Sequence, residues 1–165
     1  MGNYDTLQSL TEKNLISRIT MCRTKALTEK SMSKKMLQVI DQYQADYLVL
    51  AKYMRVLTPP LSSKKYHHKI INIHHSFLPA FIGAKPYQQA YERGVKIIGA
   101  TAHFVTNDLD EGPIIKQDVI PVDHNFNAQD MAQAGRDVEK NVLSKALNKV
   151  LNDHVFVYGN KTVIL

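Results

Sequence analysis

The stretch INIHHSFLPAFIGAKPYQQAYERG, residues Ile71 to Gly94, sets Asn72, His74 and His75 in an apolar, strand-like context. Strand residues two apart project to the same side. Asn72 and His74 are therefore expected to share a face, with Ile73 turned the other way into the core. An amide beside an imidazole suits carbonyl chemistry. The amide can donate to an oxygen that becomes an oxyanion, and the imidazole can move protons near neutral pH. A carboxylate would orient the imidazole and support its protonated form. Asp108, Asp110 and Glu111, on the loop after the next strand-like run, are the candidates. On spacing alone, a plainer reading remains open: both side chains are satisfied polar groups at a strand end.

Other chemistries find less support in the residue pattern. His67, His68, His74, His75, His103 and His124 form no HExxH arrangement, and the single Cys22 builds no thiolate cluster, so no metal site is expected. Ser76 lacks the G-x-S-x-G setting of a nucleophile elbow, and Cys22 lies where the chain shows no clear period.

The elements that must hold Asn72 and His74 are legible from periodicity. Met32, Met36, Val39, Ile40 and Tyr43 recur at helical spacing, predicting an amphipathic helix from Ser31 to about Gln44. DYLVLA (Asp46–Ala51) reads as a strand buried on both faces. KIINIHH is a second strand, and Asn72 and His74 sit near its carboxyl end, where open α/β sheets put ligands. Pro86 opens a helix through Tyr91 that Gly94 ends. IIGATAHFVT and IIKQDVIPV supply two more strands, flanking the acidic loop NDLDEGP. Beyond Asn127, a cap, the stripe Met131, Ala134, Val138, Val142, Ala146, Val150 predicts a long helix. VFVYGNKTVIL predicts a β-hairpin about Gly159-Asn160. Alternating strands and helices predict an α/β fold with a mostly parallel sheet flanked by helices.

Composition bounds the remaining possibilities. A chain of 165 residues with 44% apolar and 22% charged residues fits one globular domain. No apolar run is long enough for a membrane span, and the first residues carry no signal-peptide pattern. The Met-Gly start with Thr6 matches a myristoylation pattern only on paper, without a basic cluster to support it. A lone cysteine suits a reducing compartment, so a cytoplasmic location and no membrane partner are expected. The formal charge of +6 raises the question of nucleic acid. Its distribution answers no: residues 1–70 hold twelve Lys/Arg against five Asp/Glu, and residues 71–165 hold nine against ten. The basic excess lies away from Asn72 and His74 and reads as solvated helix faces.

NIHHSFLPAFIGAKPYQQAYERGVKIIGATAHFVTNDLDEGPIIKQDV resembles the catalytic core of the 10-formyltetrahydrofolate-utilising enzymes, and within them the hydrolase (deformylase) branch. Three elements carry the resemblance: Asn-x-His at 72 and 74, the SFLPAFIGAKPY loop, and HFVTNDLDEGP with Asp110. His75 stands where the related ribonucleotide formyltransferases typically have proline, which points to the hydrolase. The resemblance implies a Rossmann-like formyltransferase fold, with 10-formyltetrahydrofolate as substrate and no cofactor besides. It implies hydrolysis to tetrahydrofolate and formate, in one-carbon and purine metabolism. A folate-dependent formyltransferase and an inert folate-binding remnant are the alternatives. Asn72 is implied to polarise the formyl oxygen, His74 to transfer protons, and Asp110 to orient His74 and position water. LAKYMRVL (Leu50–Leu57) matches the segment whose backbone holds the pterin ring, with Met54, Arg55, Val56 and Leu57 as implied substrate contacts. His75, His103, Thr106 and Asn107 are the remaining implied substrate contacts.

The resemblance is clear from about Ser31 to Leu165, giving a poorly matched segment over 1–30 and a catalytic domain over 31–165. On this reading the domain lacks its opening strands. The exposed backbone edges that would result favour association, so a homo-oligomer is expected.

Overall fold

The computed structural model describes residues 29–51, 53, 57, 61, 64–75 and 85–165. The expectations placed on residues 1–28, and on Met54, Arg55, Val56, Ser76 and most of the SFLPAFIGAKPY loop, lie outside the described residues.

Helix α1 (Glu29–Tyr43) leads into strand β1 (Leu48–Ala51), and a 3-10 turn (Lys64–Tyr66) precedes β2 (Ile70–His74). Helix α2 (Pro86–Arg93) connects to β3 (Ile97–Phe104), followed by β4 (Ile114–Pro121) and the long helix α3 (Ala128–Leu151). Strands β5 (Val155–Tyr158) and β6 (Lys161–Ile164) close the chain as a separate hairpin.

The main sheet runs β1-β2-β3-β4. Strands and flanking helices give the expected α/β class with the C-terminal hairpin, but the share of parallel pairing differs from the expectation. Only β1 and β2 are parallel among the described strands; β2 with β3 and β3 with β4 are antiparallel. The physical reason lies in the connections. Val105 to Pro113 is too short for a parallel crossover, which needs a dozen or more residues. The order of β2, α2 and β3 does not by itself fix strand direction, because alternation of strand and helix signals a parallel crossover only when the helix returns the chain along the strand.

The alternation along β2 divides the molecule into two packed faces. Ile71 and Ile73 join Ala100, Ala102 and Phe104 of β3 beneath α3, where Val142, Leu143, Ala146 and Leu147 are almost fully buried. Ile70 faces the opposite side and packs with Met36 and Ile40 of α1, Leu50, Leu57, Leu61 and Tyr66. Asn72 and His74 have the parity of Ile70 and emerge on this second face.

Helix α3 starts as its sequence dictates. The Asn127 side chain accepts from the backbone N–H groups of Gln129 and Asp130, while Asp130 accepts from Asn127 N–H, a reciprocal capping box. Its buried stripe includes Leu143 and Leu147 beyond the expected positions, whereas Ala134 is half-buried. In α1, Met36 and Ile40 are buried as expected, but Tyr43 at the helix end is exposed. Strand β1 is also less enclosed than its apolar run suggests: Leu50 is buried and Ala51 exposed.

Candidate active site

The site is assembled at the carboxyl end of β2 by its pairing with β3. Asn72 stands opposite His103, and His74 opposite Thr101. Directly opposed residues of an antiparallel pair lie on one face, so His103 joins Asn72 and His74. A register shift at Ala102/His103 in the pairing with β4 marks a bulge next to the site, a common way to re-aim a side chain.

Asp110 reaches this cluster from the loop between β3 and β4. Its Oδ2 lies 3.0 Å from His74 Nδ1, and its Oδ1 lies 3.4 Å from His103 Nε2. The first is a well-formed hydrogen bond in which Nδ1–H donates to the carboxylate, leaving His74 Nε2 for chemistry. The second is an ion-pair separation that lacks hydrogen-bond alignment, since both atoms remain without a hydrogen-bond partner. The other nitrogen of His103, Nδ1, donates to the Phe104 carbonyl at 2.9 Å, because a carbonyl only accepts. Of the three acidic candidates, Asp110 is the one paired with the imidazoles.

Backbone geometry explains how the loop delivers it. Asp110 has φ +57°, a left-handed conformation that aspartate tolerates better than most residues. Two residues on, a Cβ at Gly112 would lie 1.8 Å from the Phe104 carbonyl oxygen. Only glycine lets the chain pass this close, and the Phe104 N–H then bonds the Pro113 carbonyl at 2.9 Å. The C-terminal hairpin holds the loop from outside, as Asn160 Nδ2 donates to the Glu111 carbonyl at 2.9 Å. Gly112→Ala is therefore expected to destabilise the protein by about 1–3 kcal/mol in a denaturant titration and to break the Asp110–His74 contact. Unchanged stability with an intact His74 imidazole NMR signal would show that the loop accommodates the methyl.

Burial works to raise the Asp110 pKa, but the polar contacts and charges of His103 and His74 outweigh it and hold the carboxyl well below the usual carboxylate range. A folded-state pKa below the unfolded value adds stability that is present above the unfolded pKa and lost as pH falls through the folded one. The stability gap between wild type and Asp110→Asn should accordingly be flat above about pH 5 and close toward about pH 2. Thermal melts across that range read it directly; a gap unchanged at the acid end would remove the linkage.

Asn72 is 4% exposed. Its Nδ2 donates to the Tyr53 carbonyl at 3.2 Å, while its Oδ1 has no hydrogen-bond partner among the described residues. The amide nitrogen carries a second N–H besides the one given to Tyr53. Asn72, His103 and Asp110 line a cleft together with Leu57, Thr106 and Asn107. A second cleft shares Leu57, Thr106 and Asn107 and extends toward Tyr66 and His67. His75 is not among the lining residues of either; its ring stacks on that of His74, with centroids 5.1 Å apart and planes within 8°.

Of the residues singled out from the sequence, Asn72, His74, His103 and Asp110 are brought into one cluster, with Leu57, Thr106 and Asn107 lining its cleft. Tyr53 was missed, because it acts through its backbone carbonyl and side-chain type gives no signal for that. No group of three or more His, Cys, Asp or Glu residues among the described residues is arranged to hold a metal ion. No described helix is long and apolar enough to cross a membrane.

Comparison with known proteins sharpens this picture. Residues 3–147 match the family model described as formyl transferase. The chain is 64% identical to formyltetrahydrofolate deformylase of Escherichia coli and 59% identical to that of Haemophilus influenzae. Both alignments cover all of this chain, residues 1–30 included, and 58% and 59% of the respective relatives. The chain thus spans somewhat under three-fifths of the length of these curated relatives. Among solved structures, a formyltetrahydrofolate deformylase from Pseudomonas syringae superimposes with a TM-score of 0.87 at 39% identity, covering 99% of this chain and 62% of that one. Glycinamide ribonucleotide transformylase 1 from Symbiobacterium toebii gives a TM-score of 0.83 at 26% identity, covering 99% and 89%.

Proposed function

The chain belongs to the formyl transferase family, and on that premise we propose that it hydrolyses 10-formyltetrahydrofolate to tetrahydrofolate and formate. The single observation that carries the reading is Asp110 bound to His74 Nδ1 at 3.0 Å, with the buried amide of Asn72 on the same strand face.

The steps follow from the atoms available. Asn72 Nδ2–H donates to the formyl oxygen and stabilises the charge that develops there. A water attacks the formyl carbon, losing its proton as the tetrahedral intermediate forms. Asp110 fixes His74 through Nδ1, so that Nε2 faces the reacting atoms and moves the proton. The bond between the formyl carbon and N10 then breaks, N10 takes a proton, and formate leaves. Asp110 also helps to position the water. The held-down pKa of Asp110 supports this role, since the carboxylate stays ionised throughout the neutral range.

The adjoining cleft at Leu57, Thr106 and Asn107 suits the pterin end of the substrate, whose ring the backbone of the Met54–Leu57 segment is assigned to hold. No cofactor besides the folate substrate is required. A cytoplasmic location, a place in one-carbon and purine metabolism, and a homo-oligomeric assembly complete the proposal. Relatives named as deformylases support hydrolysis over transfer. The test is formate release from 10-formyltetrahydrofolate by the purified chain, with glycinamide ribonucleotide as a competing formyl acceptor. Formate in stoichiometric amount with tetrahydrofolate is expected. Formylated acceptor in its place would make the chain a transferase, and folate binding without either product an inert remnant.

A further inference from the structure

Gly135 lies in the interior of α3, where glycine weakens a helix, and it is buried. Its neighbour on α2 accounts for it. A Cβ at this position would lie 2.1 Å from the hydroxyl oxygen of Tyr87 and 2.3 Å from its Cζ. The phenol therefore rests directly on the α3 backbone. One turn further along, Glu139, 2% exposed, accepts a hydrogen bond from that hydroxyl at 3.0 Å. Burial, reinforced by the charge of Glu139, pushes the Tyr87 phenol far above its ordinary pKa, so the hydroxyl stays a donor at any working pH.

The ring of Tyr87 also meets the active site. Its centroid is 6.3 Å from that of His75, with the planes tilted by 44°. His75 in turn stacks on His74 at 5.1 Å. A continuous series of contacts thus runs from the middle of α3 through Tyr87 and His75 to the imidazole that Asp110 binds. The two ends of this series constrain different things. A hydrogen bond at Nδ1 sets where that atom points but lets the ring turn about the bond. A face contact sets the plane of the ring.

We propose that Tyr87 is a positioning residue of the hydrolytic site. Seated on Gly135 and bound to Glu139, it holds His75 against His74 and sets the plane in which His74 Nε2 meets the formyl group. The inference rests on the hydrolytic reading above for its catalytic consequence, and on the contact geometry alone for the ring restraint.

Two variants break the seat in different ways: Tyr87→Phe removes the bond to Glu139 and keeps the ring, while Gly135→Ala pushes the phenol off the helix. The measurements are kcat and KM for 10-formyltetrahydrofolate, Tm, and imidazole NMR spectra of each protein. In both variants kcat is expected to fall on the order of tenfold, the effect of a small misplacement of a reacting group. KM should move by less than about twofold, since binding contacts are untouched. The His74 and His75 ring signals should shift while that of the exposed His154 does not. Combining the two substitutions should cost no more than Gly135→Ala alone, because the seat is already lost. Glu139→Gln, which keeps an acceptor for the hydroxyl, should retain wild-type kcat. A lowered Tm with unchanged kcat and unchanged His74 signals would make Tyr87 a packing residue and overturn the proposal. If wild type released no formate, the hydrolytic reading would fail, and the ring signals would still decide whether Tyr87 restrains His74.

Discussion

Asn72→Ala is expected to lower kcat for formate release by about 10²–10³-fold, equivalent to about 2.7–4 kcal/mol of transition-state stabilisation. The argument is one of position. Asn72 is buried in the middle of a five-residue strand, its amide held by the Tyr53 carbonyl, and it lines the cleft shared with Asp110. A donor fixed in this way needs no reorganisation as negative charge develops on the formyl oxygen. Water in the space left by the side chain would be less well oriented. An interaction made mainly in the transition state lowers kcat far more than it changes KM, so KM should change far less than kcat. Turnover within threefold of wild type would take the oxyanion role away from Asn72.

Asp110→Ala is expected to have the largest effect, a loss of about 10³–10⁴-fold in kcat, the scale seen when a carboxylate that orients a catalytic imidazole is removed. Without the carboxylate, His74 Nδ1 has lost the partner that fixes its tautomer, and Nε2 is no longer held toward the substrate. The edge of His103 that faces Oδ1 at 3.4 Å is left without its charged neighbour as well. Leaving buried polar groups unpartnered also costs stability, on the order of 1–3 kcal/mol. Measuring kcat on protein shown to be folded by circular dichroism separates the two effects. Asp110→Asn keeps the shape and loses the charge, so a kcat near that of Asp110→Ala assigns the effect to charge. Recovery of most of the activity would instead assign it to space-filling.

The legible part of this molecule is the part in which chemistry follows from local spacing. The i, i+2 relation of Asn72 and His74 needed only a strand to make them neighbours, and β2 is that strand. The long helix was equally plain, because Asn127 and Asp130 can satisfy each other's backbone donors and a stripe from Met131 to Val150 has nowhere to go but inward. What was not legible depended on contacts between distant residues. Asp108, Asp110 and Glu111 are indistinguishable by type. The left-handed turn at Asp110, and the squeeze of Gly112 against Phe104, decide which of them reaches the histidines. The antiparallel direction of β3 relative to β2 was not legible either, since strand order along the chain leaves polarity open.

The sequence by itself determined that Asn72 and His74 share a strand face, that an acidic loop follows the next strand, and which hydrophobic stripes bury the supporting elements. The shared face and the stripes rest on periodicity, which is a property of the local backbone. Tertiary structure alone decided that His103 shares the Asp110 carboxylate, that His75 stacks on His74 instead of lining a cleft, and that Tyr87 rests on Gly135 forty-eight residues away. Those facts depend on which side chains meet across the sheet and between helices. No spacing rule encodes such meetings, because packing selects them from many sterically allowed neighbours.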